Sequence, residues 1–421
     1  MRRIYRLVLT MLLLLVLSAC SIKAKEFTVG DVQVFCPSSY ESDAWTNPES
    51  KRYPLYISTY TSDSILSTDT ATYTIQHDGL VGTYTGSRSL QNYQILRHGE
   101  NGWEVVAKAR TAGYAPQLVL CSNQKGKLVA VTRHEYGIGF GIYDEDSGEF
   151  STVLYRKTGY AIQQYICGID PNAGEEGTVY IIVSHSNIDE NTLVFSFDIA
   201  TQEVTEQVFC DTPYPFAPGY LVFDDRSNAH VVLVHDGNLY YMSASGLGTS
   251  SQLVSEPLIV AEGGVSNSKG YLDVALDGDG NLHVFYLQWP ENGDPYHIRQ
   301  AILANEKILS DTLAIYGGSA YATPFACFTG ADGKAYLVAL QPKDWVVSNY
   351  LEGAIFRMDA DGDKEEAMTV SLENVPGLRL RDGVFNIANT RLGGRTDRGT
   401  WMIYLAAQSD NFVSIELKTE Q

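Results

Sequence analysis

The chain has 421 residues, 44% hydrophobic and 11% aromatic with 27 tyrosines, a globular and strand-favouring composition rather than a disordered one. Its 50 acidic residues against 30 basic ones give a formal net charge of −20. That balance excludes a nucleic-acid surface, because phosphate binding needs a basic patch, and it reads as solubility outside the cell.

Arg2, Arg3 and Arg6 are followed by the apolar run 7–17 and then Leu17-Ser18-Ala19-Cys20. The run is too short to cross a bilayer, which takes about 20 apolar residues, and reads as an export signal. Its closing four residues resemble the lipobox of bacterial lipoproteins. The resemblance implies a signal peptide over 1–19 and an acylated Cys20 carrying palmitate-type chains as the mature N-terminus. A short tether over 20–25 and a single domain over 26–421 follow. The expected location is a bacterial membrane, facing outside the cytoplasm and held by the lipid at Cys20. Without the three leader arginines, 27 bases face 50 acids, near −23.

Cys36, Cys121, Cys167, Cys210 and Cys327 are odd in number and cannot all pair within one chain. Cys121, Cys167 and Cys327 fall at similar places in strand patterns, where small buried thiols are expected. No Cys-x-x-Cys pair is present, so neither a zinc site nor a redox pair of that type is expected.

Next comes a repeat. Turn residues at Gly79, Gly126, Gly177, Asn228, Gly280, Gly333 and Gly399 each open a short apolar strand, with spacings of 47, 51, 51, 52, 53 and 66. A period near fifty built of strands marks an architecture in which no unit buries its own face alone. The second strand of each unit reads as a near-continuous apolar run, such as Leu128-Val129-Ala130-Val131, Val179-Tyr180-Ile181-Ile182 and Leu282-His283-Val284-Phe285. Runs of this kind are covered on both faces. The first unit, at 80–84, is the weakest match. A first strand precedes each run, as at 117–121, 220–223, 271–276 and 324–328, across turn clusters such as Asp277-Gly278-Asp279-Gly280. Third strands at 139–143, 193–197, 239–242 and 354–358 and fourth strands at 150–155 and 204–209 complete the units.

Four antiparallel strands per fifty residues, seven times, predict an all-β, seven-bladed β-propeller. Six blades plus a cap is the alternative. The strand expected at 412–417 occupies the third position of blade seven, leaving that blade one strand short. The alternating segment 27–35 is the expected supplier, with 55–59 the second candidate; such a closure removes an exposed edge.

Chemistry is expected on the face made by the second-to-third-strand loops and the blade-to-blade connections. Tyr114, Tyr160, Phe216 and Tyr321, each followed by Ala, recur at that end of four blades. They either ring the channel mouth, where planar rings stack on sugars, or wedge between blades as core. The loops themselves differ: His134 with Glu135, His185, His235 with Asp236, Trp289 and Trp345. Three histidines on one face suit proton transfer or a metal, against the plainer role of capping turns beside their acidic neighbours. His230 and His283 lie inside strands and read as hydrogen-bonded core groups. Asp359, Asp361 and Asp363 alternate like a calcium loop, but Val370 stands where its Glu belongs, so a hairpin turn is expected. No cofactor or metal is expected.

The stretch from Gly270-Tyr271-Leu272-Asp273 through Leu282-His283-Val284-Phe285-Tyr286 resembles blades of the sialidase-like, BNR-repeat propellers. That resemblance implies a family of glycosidases, polysaccharide lyases and non-enzymatic sugar binders. The family's Asp-box is absent: Asp397-Arg398-Gly399-Thr400-Trp401 is one residue short and lies in the wrong turn. The expected function is a membrane-anchored, monomeric binding or scaffold module for a glycan or an envelope protein. The alternative is an extracytoplasmic carbohydrate-active enzyme.

Overall fold

The structure is a computed structural model. It describes residues 27–35, 65–68, 70–77, 90–112, 118–134, 137–156, 162–185, 192–210, 219–267, 271–289, 297–316, 325–342, 351–358, 364–371, 391–397, 400–406 and 412–419. The leader, Cys20, Cys36 and the segment 55–59 lie outside the described residues.

The fold is an all-β propeller of four-stranded antiparallel blades. After β1 (Phe27–Phe35), the first blade in chain order is β2 (Ile65–Ser67), β3 (Thr72–His77), β4 (Leu90–Gly99) and β5 (Gly102–Ala112). The next is β6 (Leu118–Ser122), β7 (Lys127–His134), β8 (Gly137–Asp144) and β9 (Phe150–Arg156). β10 (Ile162–Asp170), β11 (Thr178–His185), β12 (Thr192–Asp198) and β13 (Val204–Cys210) follow. The fourth blade is β14 (Gly219–Phe223), β15 (Ala229–His235) and β16 (Asn238–Ser245), with an outer strand broken into β17 (Leu253–Val254) and β18 (Leu258–Ala261) that both pair β16. Next stand β19 (Leu272–Leu276), β20 (Leu282–Gln288), β21 (His297–Ala304) and β22 (Lys307–Tyr316). A further blade holds β23 (Phe325–Thr329), β24 (Ala335–Pro342), β25 (Leu351–Met358) and β26 (Lys364–Ser371). The last in chain order is β27 (Arg391–Asp397), β28 (Thr400–Ala406) and β29 (Phe412–Thr419), with β1 on the outside of β29.

The β1–β29 pairing is antiparallel, with Phe35 opposite Phe412, Val34 opposite Val413 and Phe27 opposite Thr419. The strand expected at 27–35 therefore supplies the outer strand of that blade. The innermost strands touch in the cyclic order β2, β6, β10, β14, β19, β23, β27 and back to β2.

Burial follows from the doubly covered sheets. Each apolar cluster sits between two consecutive blades, not within one. Val129, Val131 and Phe140 meet Val179, Ile181 and Phe197 in one cluster. Ile166, Tyr180 and Ile182 meet Leu221, Val231 and Leu233 in the next. Phe140 and Phe197 stack with centroids 4.0 Å apart. Each such side chain contributes about 1.5–3 kcal/mol on burial, and all of it depends on the neighbouring blade.

The first-to-second-strand turns are pinned by Asx side chains. Asp224 Oδ1 accepts the amides of Arg226 and Asn228 at 2.9 and 2.8 Å; Asp277 Oδ1 does the same for Asp279 and Asn281. Asn123 Oδ1 accepts the amides of Lys125 and Lys127. These turns also bind their neighbours: Asn123 Nδ2 donates to the Glu176 carbonyl, Asn172 Nδ2 to that of Asp225, and the Gly278 amide to that of Gly333. One end of the propeller is thus a stapled rim of short turns.

One element departs from expectation. The first blade's second strand is Thr72–His77, preceded by a hydrogen bond from the Thr68 amide to the Ala71 carbonyl, all before Gly79. Its alternation is polar, Thr-Tyr-Thr-Ile-Gln-His, yet Thr72 and Thr74 are buried with Tyr73 and Ile75. The Ser67 and Thr72 hydroxyls share a 3.0 Å hydrogen bond, so buried threonines replace the expected apolar run. The strand expected at 80–84 lies outside the described residues, as does the turn at 359–363, although β25 and β26 pair as the hairpin expected there.

Candidate functional site

The end opposite the stapled rim is where second strands finish. His134 is the last residue of β7, His185 of β11 and His235 of β15, so three consecutive blades end this strand in histidine. Gln288 ends β20, one residue before Trp289.

The best described part of this face lies between the blades of β15 and β20. Register places His235 opposite Asn238, leaving Asp236 and Gly237 as a two-residue turn with φ of 48° and 74°. Positive φ at both positions is the type I′ hairpin that Asp-Gly favours. His235 Nε2 lies 3.4 Å from Asp236 Oδ2, with the carboxylate side chain 83% exposed. A pair with so exposed a carboxylate contributes little to stability, and the Asp236 carboxylate faces solvent.

The segment 262–266 bridges that turn to the next blade. The Gly263 amide donates to Asn238 Oδ1 at 2.8 Å, and the Val265 amide to the Gly237 carbonyl at 3.0 Å. On its other side the Trp289 amide donates to the Gly264 carbonyl at 2.8 Å, and Gln288 Nε2 to the Gly263 carbonyl at 3.0 Å. Gly264 has a φ of 68°, and a Cβ there would stand 2.2 Å from the Trp289 carbonyl oxygen, so only glycine fits. The backbone of Trp289, a residue 49% exposed, is thereby tied to the same segment that binds the Asp236–Gly237 turn.

Of the residues expected here, His235 and Asp236 are in contact, and Trp289 stands on a loop joined to theirs through the backbone of 262–266. His134 and His185 are placed by backbone at the equivalent strand ends. Glu135, Tyr114, Tyr160, Phe216, Tyr321 and Trp345 lie outside the described residues. Asn238, Gly263, Gly264 and Gln288 hold the patch and are not among the expected site residues; the Gly263-Gly264 pair after an Asp-Gly turn is the available signal.

The two strand histidines sit toward the opposite rim and are structural. Gln300 Nε2 donates to Nδ1 of the fully buried His283 at 2.8 Å, and His283 Nε2 donates to Asp277 Oδ2 at 3.0 Å. His230 Nδ1 shares a 2.8 Å hydrogen bond with the Tyr241 hydroxyl. Among the described residues no three His, Cys, Asp or Glu side chains gather as a metal site.

No protein-family model and no curated protein matches the chain. Its fold is similar to the polysaccharide lyase Uly1 (TM-score 0.51, 9% identity, covering 95% of this chain and 98% of that one). It is also similar to PorZ, a bacterial surface component of the type-IX secretion system of Porphyromonas gingivalis (TM-score 0.50, 10% identity, 84% and 46% covered). The NanB sialidase of Streptococcus pneumoniae is a more distant neighbour (TM-score 0.44, 8% identity, 88% and 70% covered). At these identities the likeness concerns the fold alone.

Proposed function

We propose that the protein is a lipid-anchored, extracytoplasmic binding module that holds a glycan on its loop face. The observation that carries this reading is the half-exposed Trp289 whose loop is tied by the 262–266 bridge to the turn that bears His235 and Asp236. An indole face stacks on sugar C–H groups while an imidazole and a carboxylate meet hydroxyls. The His235–Asp236 contact joins sequence neighbours within one turn, which favours binding over a catalytic pair drawn from separate blades.

The scaffold is inferred to be a single seven-bladed ring. Supporting it are the cycle of inner strands and β1 as outer strand of the last blade; a six-bladed ring with a cap would leave one sheet outside that cycle. The lipobox-like Leu17-Ser18-Ala19-Cys20 supports acylation at Cys20 and a place outside the cytoplasm. Several acyl chains hold such a monomer firmly, each buried methylene adding about 0.8 kcal/mol.

The test is a glycan array with a parallel polysaccharide-depolymerisation assay on residues 21–421. Binding to a glycan class without product is expected, with Trp289→Ala weakening it about tenfold, roughly 1.4 kcal/mol. Released product would favour an enzyme instead. Silence in both would overturn the glycan reading and point to an envelope protein.

A further inference from the structure

Cys121 on β6 and Cys167 on β10 stand on the innermost strands of two consecutive blades, and their sulfurs approach to 3.8 Å. Both side chains are buried, 6% and 8% exposed, in the apolar cluster that joins those blades. The blades are also tied by polar contact at this level, the Tyr165 hydroxyl donating to the Val131 carbonyl at 3.0 Å. Cys210 and Cys327 pack beside different clusters, further round the propeller.

Two thiols in van der Waals contact need side-chain rotation to reach the roughly 2.05 Å of a sulfur–sulfur bond. We propose that Cys121 and Cys167 form an inter-blade disulfide when the protein meets a peroxide. A peroxide is small enough for side chains so little exposed. One thiol is oxidised to a sulfenic acid as the O–O bond breaks and one water leaves. The second sulfur then attacks the first, forming the S–S bond and releasing another water. Two thiols and one hydrogen peroxide thus give one disulfide and two waters. The bond closes a loop of 46 residues and clamps one blade to the next, restricting the unfolded chain. It does not depend on what the loop face binds.

The experiment treats reduced protein, residues 21–421, with stoichiometric hydrogen peroxide, followed by alkylation under denaturing conditions and non-reducing peptide mapping. The expected result is a loss of about 2 Da and one linked pair of peptides holding Cys121 and Cys167. A higher denaturant midpoint, reversed by dithiothreitol, accompanies it. Cys121→Ser and Cys167→Ser remove the link and the shift. Unchanged thiols, sulfenic or sulfinic acid at either residue without a link, or a link through Cys36, Cys210 or Cys327 would each overturn the proposal. Mapping of the unmutated protein decides the matter even where a serine variant fails to fold.

Discussion

Single residues set both the shape of the loop face and the acid sensitivity of the stapled rim. Gly264→Ala drives a methyl into the Trp289 carbonyl oxygen at a positive φ, and about 2–3 kcal/mol of stability should go with it. Urea unfolding measures the loss, with altered Trp fluorescence reporting the displaced indole. At the rim, Lys127 and then the Ser147 amide draw the Asp144 carboxyl down to about 2. Burial pushes Asp277 up, but hydrogen bonds from Asn281 and His283 outweigh it, so its pKa is lowered overall; Asp224 behaves alike through Asn228 and Arg226. A carboxyl depressed on folding stabilises above its unfolded pKa of about 4, and that contribution fades as pH falls through the folded value. Burial likewise lowers His230, with Asp224 opposing only in part, so its contribution declines below about pH 6.5. The melting temperature should therefore fall from pH 7 to pH 5 and more steeply below pH 4. Asp277→Asn should flatten the lower arm; an unchanged pH profile in that variant would refute the assignment.

Strands and turns were legible where one physical signal dominated. The alternation over 27–35 matches β1, and the apolar runs at 128–131, 179–182 and 282–285 mark the starts of β7, β11 and β20 within one residue but stop three residues before their ends. The first blade's second strand hid behind threonines that are buried, Thr72 sharing a hydrogen bond with Ser67, although hydropathy alone scores them as surface. The broken outer strand β17–β18 escaped too, because pairing of two short pieces with β16 is a tertiary choice. At the candidate site, His235, Asp236 and Trp289 were legible as loop residues, whereas the connection of their loops depends on the bridge at 262–266, a contact between blades with no local pattern. The Asp236–Gly237 turn makes a prediction of its own. Gly237→Ala places a side chain at a φ of 74° and should cost about 1 kcal/mol. Asp236→Asn keeps a turn residue suited to type I′ geometry, so stability should hold while glycan affinity changes.

For the whole molecule, a core divided among blade interfaces means that no blade is stable alone, and closing the ring decides the stability of all. β1 is joined to the last blade by sequence-distant pairing only, so residues 36–421 should retain strands yet present β29 as an open edge. That truncation should melt at lower temperature and self-associate, measured by calorimetry and sedimentation, because an unpaired edge templates further pairing. The most direct test of the closed ring is hydrogen exchange on the intact protein. Amides of Phe27–Phe35 should be protected together with those of Phe412–Thr419, their partners in the last blade. Rapid exchange across 27–35 beside a protected 412–419 would contradict the closure.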